Sequence, residues 1–348
     1  MFVQSACLLT ARPLSLADLQ PALKGFEVLG ASEAQPDTHW AIGAPALVIA
    51  MKEHPRGRIL VDAIGERWPD SMGRPDDQLL TRAWGMGGFG PGVMPGCLER
   101  AGTQAWAWRK AGDAVRGHQG FVRIRLAYGP AEDQPPLPTD RKQVDELMAV
   151  TRIAAKLLEV DGVRCYFNPN GESLRPAGFV WQAMDYFDSE KELPLDVWTN
   201  VRAGKLDPEG KWLLMDSVGL GQLGLPDVEA CFPAESAKLE AVDTWLRDVM
   251  YYLTDAGDVI DHGDAVDGPD GRDWKALKLT EGFSPPSRGT VRFLPPVDDV
   301  PEHLTMTGSQ AAKMADDLRA AVSATIGLSG DLADAAAAAE AAGDGEGE

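Results

Sequence analysis

The sequence predicts an α+β fold with two mixed or antiparallel sheets, each covered by helices. Three observations support it. The chain has 348 residues, more than one core usually organises, so two packed units are expected. Apolar runs of strand length recur in both halves. Two long segments, near 141–160 and 236–256, carry apolar residues at the spacing of amphipathic helices.

The first unit is placed at residues 1–117. It opens with the strand-like run FVQSACLLTA, and a short helix is predicted from Ser15 to Gly25. The runs FEVLG, WAIGAPALVIAMK and RILVDAI are predicted as strands. A Gly/Pro-rich segment at 84–96 fits neither a helix nor a strand period.

The second unit is placed at residues 118–300. It begins with GFVRIRLAYG, in which Arg123 and Arg125 alternate with apolar residues, the pattern of a half-buried strand. Strands are also predicted at VRCYF, PLDVWTNVRA, KWLLMDSVG and PDVEACF. Both units begin strand, helix, strand, which raises the hypothesis of a remote internal duplication, although no residue-level repeat supports it.

The end of the chain is predicted as a C-terminal helix at 301–327 and a disordered tail rich in alanine and acidic residues at 328–348. The tail contributes six acids and no base to a net charge of −20. Nucleic acids and anionic membranes bind clustered Lys and Arg, so neither is expected as a partner. The N-terminus lacks a basic signal region and no run reaches the length of a membrane span, so a cytoplasmic protein is expected.

Two stretches, Gly219–Gly224 and Gly85–Gly90, match the G-x-G-x-x-G pattern of dinucleotide sites. Such a site requires the glycines between a strand and a helix. The first stretch lies between two predicted strands, and prolines follow the second at once. Both are therefore interpreted as bends in which glycine supplies positive φ, and no cofactor is expected.

No metal site is predicted. The four cysteines are scattered singly, without the spacing of a zinc site. Asp recurs at every third position across 258–273, but calcium loops of the EF-hand type place their ligands two apart. A solvated loop is the preferred interpretation, and cation binding there stays open.

The second half of the chain resembles a bacterial family, the domain of unknown function 4261. The resemblance is carried by RIRLAYG, by the helix that begins QVDELMAV, by LPLDVWTNVRA and by DSVGLGQLGLPDVEACF. Its most distinctive part is GLGQLGLPDVE. The sequence also looks like small bacterial α+β domains among immunity and accessory proteins of toxin systems. The resemblance implies an α+β fold and brings no activity or catalytic residues.

Two functions are carried forward. The first is a non-enzymatic protein-binding module of a bacterial system, immunity-type or accessory, that binds a basic partner protein through an aromatic and acidic surface. Rigid rings beside a Gly-rich segment suit such a surface, so Trp84, Trp106 and Trp108 are its candidates, although core packing would also explain them. The alternative is a hydrolase-like enzyme whose site gathers three carboxylates and a histidine. Its candidate residues are Asp216, Asp227, Glu229 and His262.

Overall fold

The computed structural model describes residues 2–33, 39–72, 77–130 and 135–307. Within them the chain forms two units, Met1–Thr199 and Asn200–Glu348. Each unit contains one sheet with helices, so the predicted α+β class is confirmed. No helix among the described residues has both the length and the apolar character needed to cross a bilayer.

The first unit is built on a seven-stranded antiparallel sheet in the order β2-β3-β4-β5-β1-β6-β7. Its strands are β1 Phe2–Thr10, β2 Val28–Ser32, β3 Ala46–Ala50, β4 Gly57–Ile64, β5 Gly120–Tyr128, β6 Val163–Asn168 and β7 Ser173–Pro176. Its helices are α1 Leu16–Leu19, α2 Trp40–Gly43, α3 Gln78–Gly85, α4 Cys97–Thr103, α5 Ala111–Gly117, α6 Gln143–Leu157, α7 Ala177–Glu190 and α8 Leu195–Trp198, with a 3-10 turn at Gln20–Leu23.

Both faces of this sheet are buried. Successive residues of a strand point to opposite faces, and in β1 Cys7 and Leu9 lie in the core beneath α2 to α5, while Ala6 and Leu8 are buried on the other face. Helix α6 contacts β1 and β5 through a stripe that includes Leu147 and Leu157. Helix α7 lies beside α6 and contacts β6 and β7 at the sheet edge.

The second unit is built on a six-stranded sheet in the order β11-β12-β13-β10-β9-β8, antiparallel except for the parallel pair β10 and β13. Helix α9 follows β10 and contacts β8, β9 and β10. The strands of the second unit are β8 Asn200–Lys205, β9 Trp212–Val218, β10 Asp227–Pro233, β11 Ala265–Asp267, β12 Asp273–Leu279 and β13 Thr290–Leu294. Its helices are α9 Leu239–Ala256 and α10 Glu302–Thr305, with a 3-10 turn at Leu220–Leu223.

The structure corrects the boundary predicted at 117/118. Strand β5 pairs with β1 and β4 in the first sheet, and the division between the units falls at Thr199/Asn200. Arg123 and Arg125 of β5 are also buried instead of facing solvent. The two sheets differ in strand number and direction, so the duplication stays a hypothesis without support from topology.

Of the predicted helix at 301–327, residues 301–307 are described, and only the four residues of α10 among them are helical. Residues 308–327 and the tail at 328–348 lie outside the described residues. The predicted helices near 141–160 and 236–256 are confirmed as α6 and α9; α6 is a few residues shorter at both ends, and α9 is a few residues shorter at its start.

Candidate functional site

A row of charged side chains crosses the second sheet. Arg202 of β8 lies opposite Asp216 of β9, Asp216 lies opposite Glu229 of β10, and Glu229 lies opposite Arg292 of β13. Residues directly opposite one another in a sheet point to the same face, so these four side chains share one face. None of them is more than 1% exposed.

Asp216 is held by two arginines. Arg202 donates from Nε at 3.2 Å and from Nη2 at 2.6 Å, and Arg288 donates from Nη2 to the same carboxylate. Ser284 Oγ also donates to it. Burial alone would raise the pKa of Asp216, but the charges of Arg202 and Arg288 outweigh burial and hold the pKa below its usual value. Asp216 is therefore an ionised member of a salt-bridge network.

Asp227 connects the glycine motif to this network. Its carboxylate accepts hydrogen bonds from Ser217 Oγ at 2.7 Å and from the backbone amides of Gly219 and Leu220 at 3.3 and 3.1 Å. Arg288 Nε donates to it at 3.0 Å. Burial raises the pKa of Asp227 despite the opposing charge of Arg288. The amides at the start of the motif thus bind a carboxylate of the chain itself.

Glu229 completes the row. Arg292 Nε donates to Glu229 Oε1 at 2.6 Å, and the amide of Phe283 donates to Oε2 at 3.2 Å. The guanidinium carbon of Arg292 lies 3.5 Å from the centroid of the Phe283 ring, and its Nη1 donates to Leu304 O at 3.0 Å. The β12–β13 loop and α10 therefore cover this face of the sheet.

The predicted catalytic set is only partly brought together. Asp216, Asp227 and Glu229 are neighbours, but each is buried and bound to an arginine. His262 is exposed in the turn before β11, and this turn is hydrogen-bonded to β12, which lies two strands from β10. The four residues do not form the site predicted for a hydrolase, because the histidine stands apart and the carboxylates are enclosed.

Sequence reasoning missed the partners of these carboxylates. Arg202 and Arg292 each stand between apolar residues in a strand, in NVRAG and TVRFL. An arginine at such a position, together with acids in neighbouring strands, was the available signal for a buried ion pair. Arg288 and Ser284 come from the β12–β13 loop and carry no local signal.

The bend interpretation of Gly219–Gly224 holds for two of its three glycines. Gly219 has φ of 124° and Gly224 has φ of 75°, whereas Gly221 lies inside the 3-10 turn and does not have positive φ. A Cβ added at Gly221 would meet nothing within 4 Å. The strain expected on substitution is therefore confined to Gly219 and Gly224.

Replacing Gly224 with valine is expected to lower the free energy of unfolding by about 1 to 3 kcal/mol, because a β-branched residue is strained at positive φ. Gly221→Ala is the control from the same turn and should change stability by less than about 0.5 kcal/mol. Chemical denaturation of both variants measures the difference. Equal losses at the two positions would refute the assignment.

The three candidate tryptophans are half-buried. Trp84 and Trp108 lie against the core beneath α2 to α5. Trp84 Nε1 donates to Val93 O at 2.6 Å, and Trp106 Nε1 donates to Gln104 Oε1 at 2.8 Å. Core packing explains Trp84 and Trp108, and a partner-binding role for the three rings stays a prediction.

Four of the six aspartates of 258–273 bind nearby cations or amides: Asp258, Asp261, Asp264 and Asp270. Asp258 and Asp261 lie 3.0 and 3.7 Å from Lys278 Nζ, and Asp270 pairs with Arg272. Across the described part of the chain, no group of three or more His, Cys, Asp or Glu side chains is placed to hold a metal ion.

An aromatic and acidic surface does occur, on α7. Only Val180 and Met184 of this helix are fully buried. On its outer side Trp181 is 39% exposed and Tyr186 is 50% exposed. The exposed acids of this helix are Asp185, Asp188 and Glu190, and the exposed Lys191 and Glu192 follow its end. We name the exposed side of this segment, from Trp181 to Glu192, the α7 surface.

Fold and site together define an α+β protein whose second sheet is organised by a buried network of carboxylates and arginines. Residues 216–294 match the sequence model of the family described as Domain of unknown function (DUF4261). The resemblance noted in the second half of the chain is thereby confirmed. The match begins at Asp216 and includes Asp227, Glu229, Arg288 and Arg292, so most of the network lies within the family segment. No curated protein and no solved structure matches the chain.

Proposed function

We propose that this chain is a non-enzymatic protein-binding module that binds a basic partner protein through the α7 surface. The observation that carries the proposal is the pair of large exposed aromatic side chains, Trp181 and Tyr186, on a helix that buries few residues of its own. Trp and Tyr are the residues most often responsible for binding energy at interfaces.

The ring of Trp181 is already fixed. Its Nε1 donates to Ala155 O of α6 at 2.9 Å, so one edge of the ring is held while the side chain stays 39% exposed. A partner that covers this ring loses little rotamer entropy, because the free protein has already ordered it. Trp181 is thus suited to be the anchor of an interface.

Charge selects the class of partner. Asp185 and Glu190 are exposed on the α7 surface next to Tyr186, while Asp188 is partly offset by Arg152, whose Nη2 lies 3.2 Å from Oδ1. The whole chain has a net charge of −20. Complementary charge speeds association and disfavours acidic competitors, so the partner is proposed to be a basic protein.

The hydrolase alternative loses its support. General acid and base catalysis needs carboxylates that reach a substrate, and Asp216, Asp227 and Glu229 instead neutralise arginines inside the sheet. The role as an immunity-type or accessory protein of a bacterial system stays a prediction from the resemblance.

A photo-crosslinking amino acid at position 186 tests the proposal in the native host. We expect a crosslink to one basic protein, and we expect it to be lost when Trp181→Ala and Asp185→Lys are added. Position 252 is the control, because Tyr252 is 54% exposed but lies on α9. A crosslink at 252 alone, or none at 186, would contradict the proposal.

A further inference from the structure

The first sheet contains a buried cluster with two arginines and one carboxylate. Arg123 donates from Nε and Nη2 to the two oxygens of Asp62, at 2.9 and 2.7 Å. Arg125 Nη2 donates to Asp62 Oδ2 at 2.7 Å. The side chains of Arg123 and Asp62 are 0% exposed and that of Arg125 is 5% exposed. One positive charge in this cluster is therefore not balanced by Asp62.

The second unit shows what a balanced cluster looks like in the same protein. There Arg202, Arg288 and Arg292 are matched by Asp216, Asp227 and Glu229, three charges of each sign. In the first unit no second carboxylate among the described residues forms an ion pair with Arg123 or Arg125. A buried charge without a counter-charge is costly, so the net positive charge of this cluster favours the binding of an anion.

The guanidinium of Arg125 has one N–H donor without an acceptor among the described residues. Arg125 Nη1 donates to Gly88 O at 2.9 Å and Nη2 donates to Asp62, but Nε has no hydrogen-bond partner among the described residues. Nε and Nη2 form one edge of the guanidinium, the edge that commonly binds a carboxylate with two hydrogen bonds. The ring of Phe2 lies 4.3 Å from the guanidinium carbon and covers its flat face.

Asn170 also has a buried polar atom without a hydrogen-bond partner among the described residues. Ser5 lies directly opposite Arg125 across β1 and β5, and Asn170 Nδ2 donates to Ser5 Oγ at 3.4 Å. Asn170 is 7% exposed and its Oδ1 has no partner among the described residues. Ser5 Oγ donates to Phe89 O at a long 3.5 Å. If the amide of Asn170 turns by 180°, Ser5 donates to Asn170 Oδ1 in place of Phe89 O, and the amide NH2 becomes free to donate. In that orientation, Arg125 Nε and Asn170 Nδ2 are both buried donors without a protein acceptor among the described residues.

The second glycine motif, Gly85–Gly90, contacts both arginines of the cluster. Gly88 O accepts from Arg123 Nη1 at 3.1 Å as well as from Arg125. A Cβ at Gly90 would lie 1.9 Å from Ser5 Oγ, so the loop approaches β1 as closely as only glycine permits. The segment from Gly85 to Gly90 is thus the cover of the arginine pair.

We propose that the Nε edge of Arg125 binds one small carboxylate, which supplies the second negative charge of the cluster. Burial and the charge of Arg123 lower the pKa of Arg125 to about 10, so the guanidinium is still ionised at neutral pH and attracts an anion. A monocarboxylate matches both the single unbalanced charge and the two donors.

Formate is the probe. We expect the Tm of the full chain to rise saturably as formate replaces chloride at constant ionic strength. Arg125→Met should abolish this rise, and Arg116→Met, a control at an exposed arginine, should keep it. A formate-dependent rise of equal size in Arg125→Met, or no rise in the unmodified protein, would overturn the proposal.

A crystal structure in saturating formate keeps the proposal testable if Arg125→Met does not fold. We expect a formate oxygen within about 3 Å of Arg125 Nε, at ordinary hydrogen-bond distance. Water alone at that position, or formate only at other arginines, would overturn it.

Discussion

Replacing Asp216 with alanine is expected to lower the free energy of unfolding of the second unit by about 3 to 5 kcal/mol, the usual loss when one partner of a buried salt bridge is removed. The side chain is 1% exposed and pairs with both Arg202 and Arg288. Its removal takes away the carboxylate that Arg202 and Arg288 share, although Arg288 keeps its ion pair with Asp227. Urea denaturation, followed by the fluorescence of the tryptophans, measures the loss.

Glu209→Ala is the matched control, because Glu209 also forms an ion pair but one that is open to solvent. Its partner Lys211 is 75% exposed and Glu209 is 68% exposed. Exposed pairs contribute little, so this variant should lose less than about 0.5 kcal/mol. If Asp216→Ala lowered the free energy of unfolding no more than Glu209→Ala does, the network would not stabilise the fold. A role for Asp216 in contact with solvent or substrate would then have to be reconsidered.

Replacing Trp68 with alanine is expected to lower the free energy of unfolding of the first unit by about 3 to 5 kcal/mol. Trp68 is 4% exposed, and its ring packs edge-on against Phe89, Phe121 and Phe167 at centroid distances of 5.3 to 5.5 Å. Alanine would leave a cavity in the centre of that core.

Trp181→Ala is the control for the same change at an exposed ring. Trp181 is 39% exposed and lies on the α7 surface, so Trp181→Ala should lower the free energy of unfolding much less than Trp68→Ala does. A large destabilisation by Trp181→Ala would mean that its ring is needed for folding, and it would weaken the case for a binding surface on α7.

The elements that the sequence predicted best have local signals. The apolar stripes of α6 and α9 repeat at helical spacing, and both helices were placed within a few residues. The unit boundary was wrong because it depends on pairing between distant strands. Strand β5 looks like the start of a new unit, yet it pairs with β1 more than a hundred residues earlier.

Only part of the candidate site was predicted, because its ion pairs also depend on contacts between distant segments. Asp216, Asp227 and Glu229 were singled out, but their arginine partners are fixed by strand register and by the β12–β13 loop, which no local pattern encodes. The sequence did not single out the exposed Trp181 and Tyr186. Trp84 and Trp181 each stand among apolar neighbours in the sequence, and only tertiary packing decides which ring is exposed.

The proposal that the α7 surface binds a basic protein is tested most directly by the dissociation constant of the complex. The partner found by crosslinking would be purified and titrated against the unmodified chain and against the Trp181→Ala, Tyr186→Ala variant at low and physiological salt. We expect the variant to bind at least about tenfold more weakly while its unfolding transition stays intact. An unchanged dissociation constant in a folded variant would contradict the claim.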